Sequence, residues 1–390
     1  MPSSPVPLMP IDKMLDIMKP ITCILLLLSV LTAIACHKPE PAPQSDEPFI
    51  DSVCLYRPGD YGSANWRIPA ILCLDDATLL AVNDKRKYNE SDLPEDIDIV
   101  YRRSVDKGDL WSEPQTLIEG QGRGKGYGDP ALVQCANGDV LCLFAGHNGY
   151  FASTVADPIC VYMYRSTDRG RTWSDTVNLT SVVWDATSGY HGAFVASGNG
   201  LRLRQGPHAG RILFAAAVLR NGQNVSDNYV IFSDDNGYTW QRSQRAFAAG
   251  DEAKLIELTD GTVLISVRRS GARGYNHSTD GGMSWGTQGT WPEMTVNACN
   301  GEMLRLDDTT LLHSIPNSMQ RENVSIFTSN DEGQSWHSPV LMCAGPSVYS
   351  SMTLLDDGTI GFYVEKNPSG ACELWYYRFN REWLEGNRGR

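Results

Sequence analysis

Seven charged residues and one tyrosine fall at two fixed phases of a repeating pattern in this chain of 390 residues. Arg67, Asp129, Glu252 and Tyr349 each stand a short strand's length ahead of a turn signal, and Arg86, Arg268, Arg321 and Glu365 stand shortly after one. The signals are Asp75-Asp76-Ala77-Thr78, Asn137-Gly138-Asp139, Asn199-Gly200, Asp260-Gly261-Thr262, Asp307-Asp308-Thr309 and Asp357-Gly358-Thr359, each flanked by short β-rich runs. Asp bonds its own nearby backbone and Gly tolerates positive φ, so such sequences make hairpin ends. Ionisable groups at one shared phase are not what a packed core selects. Guanidinium groups bind carboxylates through two parallel hydrogen bonds, while carboxyl and phenol groups bind and move protons. The phase therefore defines a candidate site for a small anion.

A second repeat positions these residues. Ser-x-Asp-x-Gly-x-x-Trp occurs at Ser104 to Trp111, Ser166 to Trp173, Ser233 to Trp240, Ser278 to Trp285 and Ser329 to Trp336. Repetition at such spacing marks a repeat architecture. Each of the first five turn signals is followed by one box, so each unit holds two hairpins, or four strands. The expected fold is all-β, a six-bladed β-propeller of four-stranded antiparallel blades. The sixth unit, ending in Cys372 to Trp383, lacks a box, and Asp51 to Tyr56 can supply its missing strand. In such a meander the turns and boxes share one face, which leaves the eight residues above at the other, around the axis.

Composition is ordinary for a globular protein, 42% hydrophobic and 20% charged. The formal net charge of −13 argues against nucleic acid as a partner. Lys19 precedes an apolar run, Ile21 to Ile34, that is short for a membrane span and right for a signal peptide core. It ends Ala33-Ile34-Ala35-Cys36, which predicts a lipoprotein-type signal over residues 1–36 with a lipid anchor at Cys36; a plain secretory signal is the alternative. Residues 37–49, rich in Pro, Ser and charge, read as a flexible tether, and residues 50–390 as the propeller. An extracytoplasmic place follows, in the periplasm, at the outer membrane or cell surface, or secreted. The ten cysteines show no Cys-x-x-Cys and no zinc spacing, which leaves one bridged pair open without naming it.

Arg67-Ile68-Pro69 followed by the Asp boxes resembles the sialidases (exo-α-neuraminidases) of glycoside hydrolase family 33, with Asp-box (BNR) repeats, from about residue 50 to the end. That resemblance implies removal of terminal sialic acids from glycoproteins, glycolipids or oligosaccharides by a monomer that uses no cofactor and no metal. Ser233-Asp234-Asp235-Asn236-Gly237 looks superficially like a calcium loop but lacks its downstream Glu. The resemblance assigns Arg67, Arg268 and Arg321 to the substrate carboxylate, with Arg269 as a competitor for the place of Arg268. Arg86 and Asp129 fall to the other end of the sugar, and Glu365 supports Arg67.

The same resemblance assigns Asp92 as acid and base, in preference to Asp96 or Asp98, and makes Tyr349 the nucleophile with Glu252 as its base. The anomeric carbon of sialic acid already carries a carboxylate, which repels a second one but not a neutral phenol. A phenol with pKa near 10 needs a neighbouring base to attack at neutral pH. Two other functions stay open at this level: a trans-sialidase, and a sialic-acid-binding propeller without catalysis, for which Asp92, Tyr349 and Glu252 would be superfluous. Gly189-Tyr190-His191-Gly192 is only loosely like the family's glycine-rich segment.

Overall fold

The computed structural model describes residues 47–296 and 298–388, and in them the chain is all-β. The leader, Cys36 and most of the expected tether lie outside the described residues. Of the tether, Glu47 and Phe49 are held by Asn380, whose side chain donates to the Glu47 carbonyl (2.8 Å) and accepts from the Phe49 N–H (2.9 Å).

Strand pairing gives five sheets. One sheet runs Asn65–Cys73, Leu79–Arg86, Ile97–Ser104, Gln115–Ile118, each strand antiparallel to the next. A second runs Gly126–Gln134, Val140–His147, Ile159–Ser166, Val177–Asn178. The third is built on Tyr190–Val195, Ile212–Arg220, Ser226–Ser233 and Gln241–Arg242, and the fourth on Ala253–Glu257, Val263–Val267, Gly271–Ser278 and Gly289–Val296.

The fifth sheet has seven strands because one of them, His337–Leu354, is 18 residues long. Its first part pairs with Glu322–Ser329 and its last part, from Ser347, pairs with Ile360–Lys366. Two meanders are thus continuous where the sequence shows only a box and then a turn. Ile50–Tyr56 completes this sheet by pairing with Glu373–Phe379, the place expected for Asp51 to Tyr56 as the missing strand.

Two expectations are corrected. Asn199-Gly200 is not a simple hairpin turn. The chain leaves the third sheet after Val195, and Gly198–Asn199 pairs in parallel with Ala131 and Leu132 of the second before returning. Gly198 has φ +102°, and the Asn199 amide donates to the Met352 carbonyl (2.9 Å), so tertiary contacts reroute the segment. The last strand stops at Phe379, and Trp383 lies instead in a short helix, Arg381–Gly386, whose N-cap Asn380 accepts from the Trp383 N–H.

The alternating inner faces pack sheet on sheet. Leu80, Val82 and Ile99 meet Leu132, Cys142 and Phe144; the last meander meets the first sheet through Tyr363, Leu374 and Tyr376 against Trp66, Ile71 and Leu79. The boxes stitch the same seams. In each, the Ser hydroxyl and the Asp carboxylate bond (2.7–2.8 Å), and the Gly N–H donates back to the Ser (2.8–2.9 Å). Each Gly has positive φ and no room for a β-carbon. Gly108 lies on Tyr376, Gly170 on Leu80, Gly237 on Leu141, Gly282 on Leu213 and Gly333 on Leu264. Every box therefore rests on the preceding meander, and the first box rests on the last. All eight cysteines among the described residues are free thiols.

Candidate active site

Away from the boxes, three inner strands are bent at the residues of interest. Register shifts fall between Arg67 and Ala70, between Gly128 and Ala131, and between Ser347 and Ser350. Bulges re-aim side chains. Ile68 and Asp129, each followed by Pro, share the same left-handed backbone at φ +59°. For a β-branched isoleucine this is a strained conformation, and it is held by the Glu365 carboxylate, which accepts from the Ile68 N–H at 2.6 Å.

The bends bring Arg67, Asp92, Asp129, Glu252, Arg268, Arg321 and Tyr349 onto one cleft of about 350 Å³. The cleft also has an apolar wall: Leu93, Pro94, Tyr150, Phe151, Ile159 and Phe194. Arg86 and Glu365 stand behind the cleft. The fully buried Glu365 also accepts from Arg67 Nε (2.9 Å) and from the Tyr349 N–H (3.3 Å), so one carboxylate fixes both the arginine and the tyrosine.

At the floor, the Tyr349 hydroxyl donates to Glu252 Oε2 (2.6 Å) and accepts from Arg268 Nη1 (2.8 Å). Arg268 also pairs with Glu252 and, through Nε, with Asp251 (3.4 Å). The Tyr349 ring lies under Arg67 (5.3 Å) and Arg321 (5.9 Å), so three guanidinium groups converge over the phenol. Burial raises the Tyr349 phenol well above its ordinary pKa; Arg268 opposes this and Glu252 adds to it. The phenol is therefore neutral, with a carboxylate at its proton.

Asp92 reaches over the mouth on the loop after Leu79–Arg86. Its side chain is 77% exposed, and Oδ1 lies 2.6 Å from Arg86 Nη2. Neighbouring chain pushes its carboxyl up, but Arg86, Arg67 and Arg321 together hold it below the usual carboxylate value. Asp129 behaves oppositely: burial, then Asp84, Asp92 and Glu252, raise it well above that value, with Arg86 opposing.

The alternatives resolve in space. Arg268, not Arg269, takes part in these contacts. Asp98 is buried and pairs with Lys85 (3.5 Å) and Lys87 (2.9 Å), and Asp96 pairs with Lys87 (3.0 Å), so both tie together the ends of two neighbouring strands. Tyr190 is tied to Asp227 (2.9 Å) and does not line the cleft. Sequence reasoning missed Asp84, Asp251 and the apolar wall. Asp84 carried a signal, its spacing of two from Arg86 on one strand, which puts both on one face. The wall comes from two connecting segments and from the strands Ile159–Ser166 and Tyr190–Val195, and carried none. Among the described residues no group of His, Cys, Asp and Glu is arranged to hold a metal ion.

A model of the BNR repeat-like domain matches residues 88–362. A sialidase of Micromonospora viridifaciens is 32% identical over 370 residues, covering 89% of this chain. The chain spans only 56% of the length of that relative. Among solved structures, a Hadza microbial sialidase superposes with a TM-score of 0.75 at 26% identity, over 84% of this chain and 68% of its own. The intramolecular trans-sialidase of Ruminococcus gnavus superposes with a TM-score of 0.74 at 19% identity, over 83% and 96%, a likeness of fold alone.

Proposed function

We propose that this chain, which belongs to the sialidases with BNR repeats, is an exo-α-sialidase that hydrolyses terminal sialic acids from glycoconjugates with retention of configuration. The carrying observation is the Tyr349 hydroxyl, 2.6 Å from Glu252 Oε2 and 2.8 Å from Arg268 Nη1 on the floor of an arginine-lined cleft. Binding a carboxylate needs the arginines; it does not need a phenol already bonded to a buried base.

In this reading Arg67, Arg268 and Arg321 seat the substrate carboxylate. Its charge cancels the pull of Arg67 and Arg321 on Asp92, so binding favours the protonated acid. The bond from the anomeric carbon to the leaving oxygen breaks as Asp92 gives that oxygen its proton. Tyr349 Oη bonds to the carbon while its own proton passes to Glu252. In the second step Asp92 takes a proton from water, the water oxygen replaces Tyr349, and Glu252 returns the proton to the phenol. Asp129, whose carboxyl burial pushes up, and Arg86 serve the far side of the sugar.

The sheets are read as six four-stranded blades in a closed ring. The last-to-first core contacts and the rest of Gly108 on Tyr376 support closure. A monomer, exported and anchored by lipid at Cys36, acting on sialylated glycans, completes the proposal.

The test is release of a fluorogenic aglycone from an α-sialoside. Wild type should release it, and Tyr349→Phe should lower kcat by about 10²–10⁴-fold with an unchanged circular dichroism spectrum. An inert, folded wild type sinks the reading, and an unchanged rate in Tyr349→Phe sinks the nucleophile. Product analysis with lactose present separates hydrolysis from transfer.

A further inference from the structure

We propose that Asp84 is a positioning residue of this reaction: it anchors Arg86 and takes up part of its charge, so that Arg86 does not keep the acid Asp92 ionised. The inference rests on the reading of Asp92 as acid. Asp84 and Arg86 are 1% and 2% exposed, and they share a face of the strand Leu79–Arg86. Arg86 Nε and Nη2 both donate to Asp84 Oδ2, at 3.3 and 3.1 Å. The same Nη2 lies 2.6 Å from Asp92 Oδ1. One guanidinium nitrogen thus serves two carboxylates, one buried and fixed, the other exposed and on a loop.

Asp84 is itself locked. Its Oδ1 accepts from the Asp129 N–H at 3.1 Å, and a β-carbon at Gly128 would stand 3.1 Å from its Oδ2. Both Asp84 oxygens accept N–H donors; burial pushes its carboxyl up to about 7, and Arg86 and the Asp129 N–H oppose that rise. The third guanidinium nitrogen, Nη1, donates to the Glu90 carbonyl, so Arg86 has no freedom to follow Asp92.

The cations that act on Asp92 are Arg86, Arg67 and Arg321, and the carboxyl groups of Asp84 and Asp129 act on it in the opposite sense. Substrate carboxylate answers two of these cations. Arg86 remains, and its fixed partner Asp84 decides how strongly it attracts Asp92. Two carboxylates on one nitrogen weaken each other's hold, so the mobile one can leave Arg86, take a proton and turn to the leaving oxygen.

Asp84→Asn keeps the shape and removes the charge. It should lower kcat/KM for sialyllactose, whose sugar leaving group needs a proton, by about tenfold or more. The 4-methylumbelliferyl sialoside has a leaving group that departs readily without protonation, so its kcat/KM should fall less than about threefold. The alkaline limb of the pH profile of kcat/KM should move to lower pH, because Arg86 then holds the Asp92 carboxylate more tightly. Arg86→Gln should move the limb the other way. It gives a second reading if Asp84→Asn does not fold.

With an active wild type, equal losses on both substrates and an unmoved limb in Asp84→Asn overturn the inference alone. An unmoved limb in Arg86→Gln also overturns it. A wild type that cleaves neither substrate overturns the functional reading and this inference with it.

Discussion

The two faces of the molecule use aspartate in opposite ways. On the box face, Asp106, Asp168, Asp235, Asp280 and Asp331 are near the surface and bonded within a few residues of themselves. Asp235, for example, accepts from the Tyr238 and Thr239 N–H groups at 3.1 and 2.8 Å and from the Thr239 hydroxyl at 2.7 Å. Burial pushes its carboxyl up, but these local donors together outweigh it and hold the carboxyl below the ordinary value. At the other face, Asp84, Asp92 and Asp129 depend on groups from different strands and loops, and their ionisation differs from one to the next. A motif that satisfies itself repeats because it needs nothing from its surroundings. A site that works by mutual perturbation cannot repeat.

That contrast is open to breakage, beginning with its largest expected effect. Glu252→Gln removes the base at the Tyr349 proton while keeping a hydrogen-bonding shape, so kcat on the fluorogenic sialoside should fall about 10²-fold or more. A loss under threefold would mean that the phenol does not need the carboxylate.

Asp129→Asn tests whether the site stores its chemistry at a cost in stability. The folded state binds the Asp129 proton more tightly than the unfolded chain does. Its favourable contribution is thus complete below the unfolded carboxylate pKa of about 4 and is lost as pH rises toward the folded value. Thermal unfolding should show the variant gaining on wild type between pH 5 and pH 8, by about 2 °C or more. A difference that does not change with pH would remove the buried proton from the account.

The smallest effect on activity belongs to the boxes. Asp235→Ala should cost about 1–2 kcal/mol of stability in denaturant melts and leave kcat within twofold. A large loss of kcat in a folded Asp235→Ala protein would dissolve the distinction between the two faces.

What could be read along the chain was whatever the chain encodes locally. The boxes, the turn signals and the phase of Arg67, Glu252 and Tyr349 all lie within short spans, and periodicity alone placed those side chains at a common end. Asn199-Gly200 shows the limit: its composition makes a turn, but its bonds to Met352 and its pairing with Ala131 and Leu132 send it across to another sheet. Trp383 shows it again, since a cap at Asn380 outweighed the apparent strand.

The sequence by itself determined the repeats, the inner-strand phase and the residue types of the site, because turn chemistry and side-chain alternation act over a few residues. Only the tertiary structure decided how deeply each carboxylate is buried and which cation it meets. Asp84, Asp92 and Asp98 are similar side chains on neighbouring segments. One is buried on Arg86, one is exposed on the same guanidinium and one is bound to two lysines. The partner charges lie nearby in the chain, but how deeply each carboxylate is buried against them is set by strands and loops that only the fold brings together.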